Sequence, residues 1–142
     1  MTEVAQPCTV QYIHHVGIAV RNLQTVLDFY QDVFGINPSP IQEAPEHGLR
    51  ASLIQVGETY LELLEPLGQD SVIGKFIVSH GEGLHHLCFR VENINEKLDI
   101  LKAKGVQLID EQPRMGLTGN IAFVHPKAAH GVLIELSQES GV

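Results

Sequence analysis

The chain repeats itself, and this limits its folds more than any other feature. Residues 13–20 read Ile-His-His-Val-Gly-Ile-Ala-Val, and residues 84–91 read Leu-His-His-Leu-Cys-Phe-Arg-Val. Both stretches are short, apolar and period-two, the pattern of a strand. Each leads into an amphipathic helix. The first helix begins after Asn22 and carries Leu23, Val26, Leu27, Tyr30, Val33 and Phe34 before Gly35. The second begins after Asn93 and carries Ile94, Leu98 and Leu101 before Gly105. Asn at a helix start accepts from orphan N–H groups, and Gly takes the left-handed exit.

Three strands are expected after each helix. In the first copy they fall near Ile36–Ile41, Ala51–Val56 and Tyr60–Leu64, the first weakened by Pro38 and Pro40. In the second they fall near Val106–Ile109, Ile121–Val124 and Val132–Leu136. Pro66 to Gly83 joins the copies and includes a helical patch, Val72–Val78. The reading is a single domain over residues 1–142 with two βαβββ modules, 13–66 and 84–138. One helix cannot cover an open sheet, so two modules must pair, within the chain or across a dimer. The expected class is α+β, with the tandem modules forming a cupped mixed sheet around a metal site.

The composition removes several functions. Hydrophobic residues are 44% of the chain and charged residues 18%, ordinary for a soluble globular protein. The net charge is −8 and no run of Lys or Arg occurs, so a phosphate-neutralising face for nucleic acid is absent. No apolar stretch reaches the ~20 residues that cross a bilayer, and Met1 to Val10 does not read as a signal peptide. Cys8 and Cys88 do not make a disulfide framework, which suits a reducing cytoplasm.

The repeat becomes chemical at four polar positions. His15 and His86 occupy the same place in the two leading strands, and Glu62 and Glu135 the same place in the two closing strands. Carboxylates flanked by aliphatics would cost several kcal/mol if buried unpaired. A cation would satisfy both, together with two neutral imidazoles. Each leading strand offers two histidines, and strand alternation chooses between them. His15 shares its face with Gly17 and Ala19, whereas His14 shares the bulky face of Val16 and Ile18. The bulky face should meet the helices, leaving His15 for a cavity. His86 and His85 divide in the same way. His47, His80, His125 and His130 lack repeat partners and read as loop or surface residues, and Cys88 reads as a small core residue.

These strands resemble the vicinal oxygen chelate (glyoxalase/dioxygenase) superfamily from Ile13 onward. More narrowly, the chain resembles the methylmalonyl-CoA epimerases. That match lies in His14-His15-Val16-Gly17-Ile18-Ala19, Leu61-Glu62-Leu63-Leu64-Glu65-Pro66-Leu67-Gly68-Gln69-Asp70-Ser71, Gly83-Leu84-His85-His86, His125-Pro126-Lys127 and Gly131-Val132-Leu133-Ile134-Glu135-Leu136. The resemblance implies one divalent metal on His15, Glu62, His86 and Glu135, with Co foremost and Mn, Ni, Mg or Zn also compatible with the ligand set. It implies interconversion of (2R)- and (2S)-methylmalonyl-CoA through an enolate, with Glu135 as the catalytic base and a metal-assisted thioester. The implied partners are a small acyl-CoA and a second copy of the chain in a homodimer.

Inversion needs a proton removed on one face and delivered on the other. Ala51 stands where some members carry a second catalytic Glu, so Glu43, Glu46 or a bound water is left for that role. Arg50, Lys75 and Lys127 are candidates for the CoA phosphates, and Gly116-Leu117-Thr118-Gly119-Asn120 is a candidate loop for the substrate carboxylate. Alternatives on the same fold are a glyoxalase I-type lyase, an extradiol dioxygenase and a metal-free binding module. A ligating Glu62 counts against the dioxygenase triad, and four metal ligands count against the binding module.

Overall fold

A computed structural model describes residues 9–139. They divide into two compact units, one of residues 15–86 and one of residues 87–139 with 9–14. The division passes through the first strand between His14 and His15 and through the fifth between His86 and Leu87. The element order is β1 (Val10–Ala19), α1 (Leu23–Phe34), β2 (Gln42–Ala44), β3 (Leu49–Val56), β4 (Thr59–Pro66), α2 (Val72–His80), β5 (Gly83–Val91), α3 (Ile94–Ala103), β6 (Arg114–Gly116), β7 (Gly119–Val124) and β8 (Ile134–Gln138). The helix and three strands after β1 recur after β5. The class is α+β.

In the unit of residues 15–86 the strands pair in the order β2-β3-β4-β1. β1 runs parallel to β4, and β3 is antiparallel to both β2 and β4. Asn22 starts α1 as expected, its side chain accepting from the Thr25 N–H at 2.9 Å. Gly35 ends the helix at φ 68°, donating to the Gln31 carbonyl while the Ile36 N–H donates to the Tyr30 carbonyl. The buried stripe Leu23 and Leu27 meets Val20, Ile54 and Leu63, with Ile18, Val26, Tyr30, Ile36, Ile41 and Leu61 around them. Ile18 thus carries the odd-even face opposite His15 onto the helix, as the alternation requires. Ser71 caps α2 by accepting from the Gly74 N–H at 3.0 Å.

The other unit repeats the plan with β5-β8-β7-β6, β5 and β8 parallel and the remaining pairs antiparallel. Asn93 caps α3 by accepting from the Glu96 N–H at 3.0 Å. Its core joins Val91, Ile94 and Leu98 to Ala122, Val124 and Leu136.

The outer strands differ from expectation. The ladder strand of the first copy is Gln42–Ala44 rather than Ile36–Ile41. Pro38 and Pro40 lack the N–H a ladder needs, and Ile36 and Ile41 fill the core instead. In the second copy the outer strand is Arg114–Gly116, and of Val106–Ile109 only Leu108 makes a bridge, to Val124. Val106 and Leu108 both pack on the core, and the pairing of this segment is limited to the one bridge, flanked by the Ile109 N–H donating to the Phe123 carbonyl and the His125 N–H donating to the Gln107 carbonyl. The closing strand starts at Ile134 rather than Val132.

Candidate metal centre

Within residues 15–86 the register places His15 opposite Tyr60 and Gly17 opposite Glu62 on neighbouring strands, with Leu53 on the far side of Glu62. Opposed residues project to one face, so His15, Gly17 and Glu62 look the same way. The Nε2 atoms of His15 and His86 are 3.0 Å apart, and Glu62 Oε1 is 3.5 Å from each. All three side chains are at least nine-tenths buried. His14 and His85, on the other parity, are only half-buried.

This trio fits a divalent cation. Cis ligands on an octahedral ion with bonds of about 2.1 Å lie about 3.0 Å apart, and tetrahedral ligands about 3.4 Å. The three observed spacings fall on or beside these chords. Two imidazoles and a carboxylate also match borderline cations such as Co, Ni, Mn or Zn. A cation supplies the counter-charge that a carboxylate buried like Glu62 needs.

Two supports of the trio were not singled out from sequence. A Cβ on Gly17 would overlap the His86 imidazole ring, so the bare backbone of β1 makes room for it. Glycine inside a strand often marks such a close approach, and that was the available signal. His85 Nδ1 lies 2.9 Å from His86 Nδ1, holding the ring from behind while Nε2 faces His15. The His85 ring meets the Phe76 edge at 4.8 Å between centroids, and His80 stacks on the same Phe76. Ligand histidines are commonly oriented through their second nitrogen in this manner.

Glu135 lies in the other unit. It is 4% exposed on β8, between Cys88 of β5 and Phe123 of β7. Cys88 follows His86 by two residues on one strand and is fully buried, a core residue as expected. Two pairs further along, on the same face, Arg90 lies opposite Ser137, both buried.

The remaining candidates separate. Glu43 pairs with Arg50 across β2 and β3 at 3.6 Å, on the face opposite Glu62. Arg50 also meets Glu65 at 3.4 Å, whose other oxygen accepts from the Leu23 N–H at the start of α1. Both acids and the Arg therefore serve the helix side. Glu46 is exposed in a 3₁₀ turn. Ala51 is buried on the Glu62 face and brings no proton-transfer group. Lys75 and Lys127 are exposed. His47, His80, His125 and His130 lie in turns or at a helix end, as expected.

Residues 14–124 match the model of the Glyoxalase/Bleomycin resistance protein/Dioxygenase superfamily. The chain belongs to this superfamily. Among curated relatives it is 39% identical over 128 residues to the human mitochondrial methylmalonyl-CoA epimerase, covering 89% of this chain and 73% of that one. Among solved structures, the Mycobacterium tuberculosis methylmalonyl-CoA epimerase superposes with a TM-score of 0.88 at 33% identity, over 97% of this chain and 94% of that one. A methylmalonyl-CoA epimerase in complex with methylmalonyl-CoA and NH4+ gives 0.87 at 34%, over 94% and 98%. Within the superfamily the chain is therefore most like the methylmalonyl-CoA epimerases.

Proposed function

We propose that this chain interconverts the (2R) and (2S) forms of methylmalonyl-CoA through an enolate, using one divalent cation held by His15, Glu62, His86 and Glu135. The observation that carries the reading is the buried His15–Glu62–His86 cluster with spacings of 3.0–3.5 Å that suit ligands of one cation, in a chain similar along most of its length to methylmalonyl-CoA epimerases. Glu135 enters as the fourth ligand because it matches Glu62 in the repeat and is buried beside the strand that bears His86.

The C2 proton lies between a thioester and a carboxylate and is too weakly acidic to leave unaided at neutral pH. A bound dication supplies Lewis-acid stabilisation for the charge that develops on the thioester oxygen. His15, Glu62, His86 and Glu135 would hold that cation, and His85 keeps the His86 ring aimed. Glu135 takes the C2 proton on its carboxylate. Glu43 is turned away with Arg50, so delivery to the opposite face falls to a water or to Glu46. The buried walls, including Ala51 and Leu64, keep bulk solvent from the enolate.

For the cation we place Co first, with Mn, Ni, Mg and Zn accepted by the same donors. A homodimer covering exposed apolar side chains such as Leu84 and Phe34 completes the reading, in the cytoplasm and in propionate metabolism. No helix among the described residues is long and apolar enough to cross a membrane. The test is C2 hydrogen exchange of methylmalonyl-CoA in deuterated water, followed by NMR before and after chelation and with each metal restored. Metal-dependent exchange is expected. Its absence with all five metals would overturn the proposal, and turnover of a methylglyoxal hemithioacetal instead would point to the lyase.

A further inference from the structure

We infer that Arg90 is the binding group for the free carboxylate of the acyl-CoA substrate, an assignment that rests on the function proposed above. Arg90 is 7% exposed, yet no carboxylate pairs with it among the described residues. Its Nη1 makes both of its hydrogen bonds, donating to Ser137 Oγ at 2.7 Å and to the Thr118 carbonyl at 3.0 Å. Its Nε is buried and has no partner. A guanidinium kept from water without a counter-charge is costly, and such a group is expected to meet an anion.

The geometry says which anion. Nε and Nη2 form the edge that grips a carboxylate with two parallel hydrogen bonds. On that edge no hydrogen bond is made among the described residues, while Ser137 and Thr118 fix the opposite nitrogen. The guanidinium is thus oriented before a ligand arrives, so little side-chain freedom remains to be lost on binding.

Placement agrees. Cys88 lies opposite Glu135 and Arg90 opposite Ser137, so Arg90 and Glu135 sit two register positions apart on the same face of their sheet. Two residues of strand span roughly 6.6 Å and neighbouring strands lie about 4.8 Å apart, so the diagonal between them is roughly 8 Å. In methylmalonyl-CoA the carboxylate is bonded directly to C2, so a base at Glu135 and a cation at Arg90 address neighbouring atoms. Charge agrees as well. Glu62 and Glu135 neutralise a dication, and the substrate carboxylate adds one negative charge that Arg90 balances. The loop at Gly116 to Asn120 then acts by carrying the Thr118 carbonyl that anchors Arg90.

The test compares two esters that share the CoA portion and differ in the carboxylate. Malonyl-CoA and propionyl-CoA are titrated calorimetrically into the cobalt-loaded protein, wild type, Arg90→Met and Arg90→Lys. Wild type should prefer malonyl-CoA. Arg90→Met should weaken malonyl-CoA by about 30-fold or more and leave propionyl-CoA within about twofold. Arg90→Lys keeps the charge without the fork and should lose about five- to tenfold for malonyl-CoA alone. If Arg90→Met does not fold, as judged by circular dichroism, the Lys variant decides. Equal losses for both esters, or none, would overturn the assignment. Wild type that prefers malonyl-CoA through Arg90 yet exchanges no C2 proton would sink the epimerase reading and leave the carboxylate site standing. Wild type that epimerises while Arg90→Lys and Arg90→Met keep the malonyl-CoA preference would sink the site alone.

Discussion

Gly17→Ala tests whether a single missing methyl positions the centre. The new Cβ would overlap the His86 ring, and Gly17 does not have the positive φ that would strain any side chain. Ala19, two residues along on the same face, is fully buried, so the strand itself accepts a methyl there. The cost must therefore come from the ring. Overpacking of this kind costs about 1–3 kcal/mol. For a domain of this size each kcal/mol lowers Tm by about 2–4 °C, so a fall of about 2–12 °C is expected for the metal-free protein. The larger effect is on metal uptake, because a displaced His86 ceases to be a ligand. Cobalt affinity, measured by competition with a chelator, should fall about 100-fold or more, in line with loss of a ligand rather than of its outer support. The double variant with His86→Ala supplies the control. Removing the ring first should make Gly17→Ala nearly neutral, with a coupling energy of about 1–3 kcal/mol. Wild-type cobalt affinity in Gly17→Ala, or additive losses in the double variant, would refute the reasoning.

Other consequences are as direct. Glu135→Gln should lower C2 exchange by about 10²–10⁴-fold while a stopped-flow assay still detects acyl-CoA binding, since a base is lost and the shape is kept. His85→Phe keeps the contact with Phe76 but removes the bond to His86, and cobalt affinity should fall about 10–100-fold. Asn93→Ala removes the cap of α3 and should cost about 1 kcal/mol in a urea titration with no change in metal affinity. Cobalt competes with protons for the imidazoles and carboxylates, so its affinity should decline as pH falls below neutral, and the thermal shift produced by added cobalt should shrink in parallel.

Much of this architecture could be read from the residues. Asn22 and Asn93 begin helices because their side chains satisfy local N–H groups, a purely local effect. The choice of His15 over His14 followed from strand alternation, which tertiary packing has little power to alter. Readings failed where apolarity served a different end. Ile36, Ile41 and Val106 are core plugs whose pattern imitates strands, Leu108 fills the core while making a single bridge, and Pro38 and Pro40 remove the donors that would have let the first pair. The supports of the centre were also hidden. That Gly17 lies under His86 depends on contact between strands distant in sequence, and so does the grip of Ser137 and Thr118 on Arg90. Glu43 looked available until pairing with Arg50 placed it on the helix side.

The contact between His85 and His86 has one more consequence, concerning where individual hydrogens reside. Two Nδ1 atoms 2.9 Å apart need one hydrogen between them. When His86 Nε2 gives its lone pair to a cation, the His86 hydrogen must sit on Nδ1, and His85 Nδ1 must accept it. His85 then carries its own hydrogen on Nε2. Likewise, the Nε2 atoms of His15 and His86, close enough to share a hydrogen, must both give it up to a cation. Metal loading thereby dictates the tautomers of three rings, one of them not a ligand. Nitrogen-15 spectra of His85 would register the filling of a site that His85 never touches.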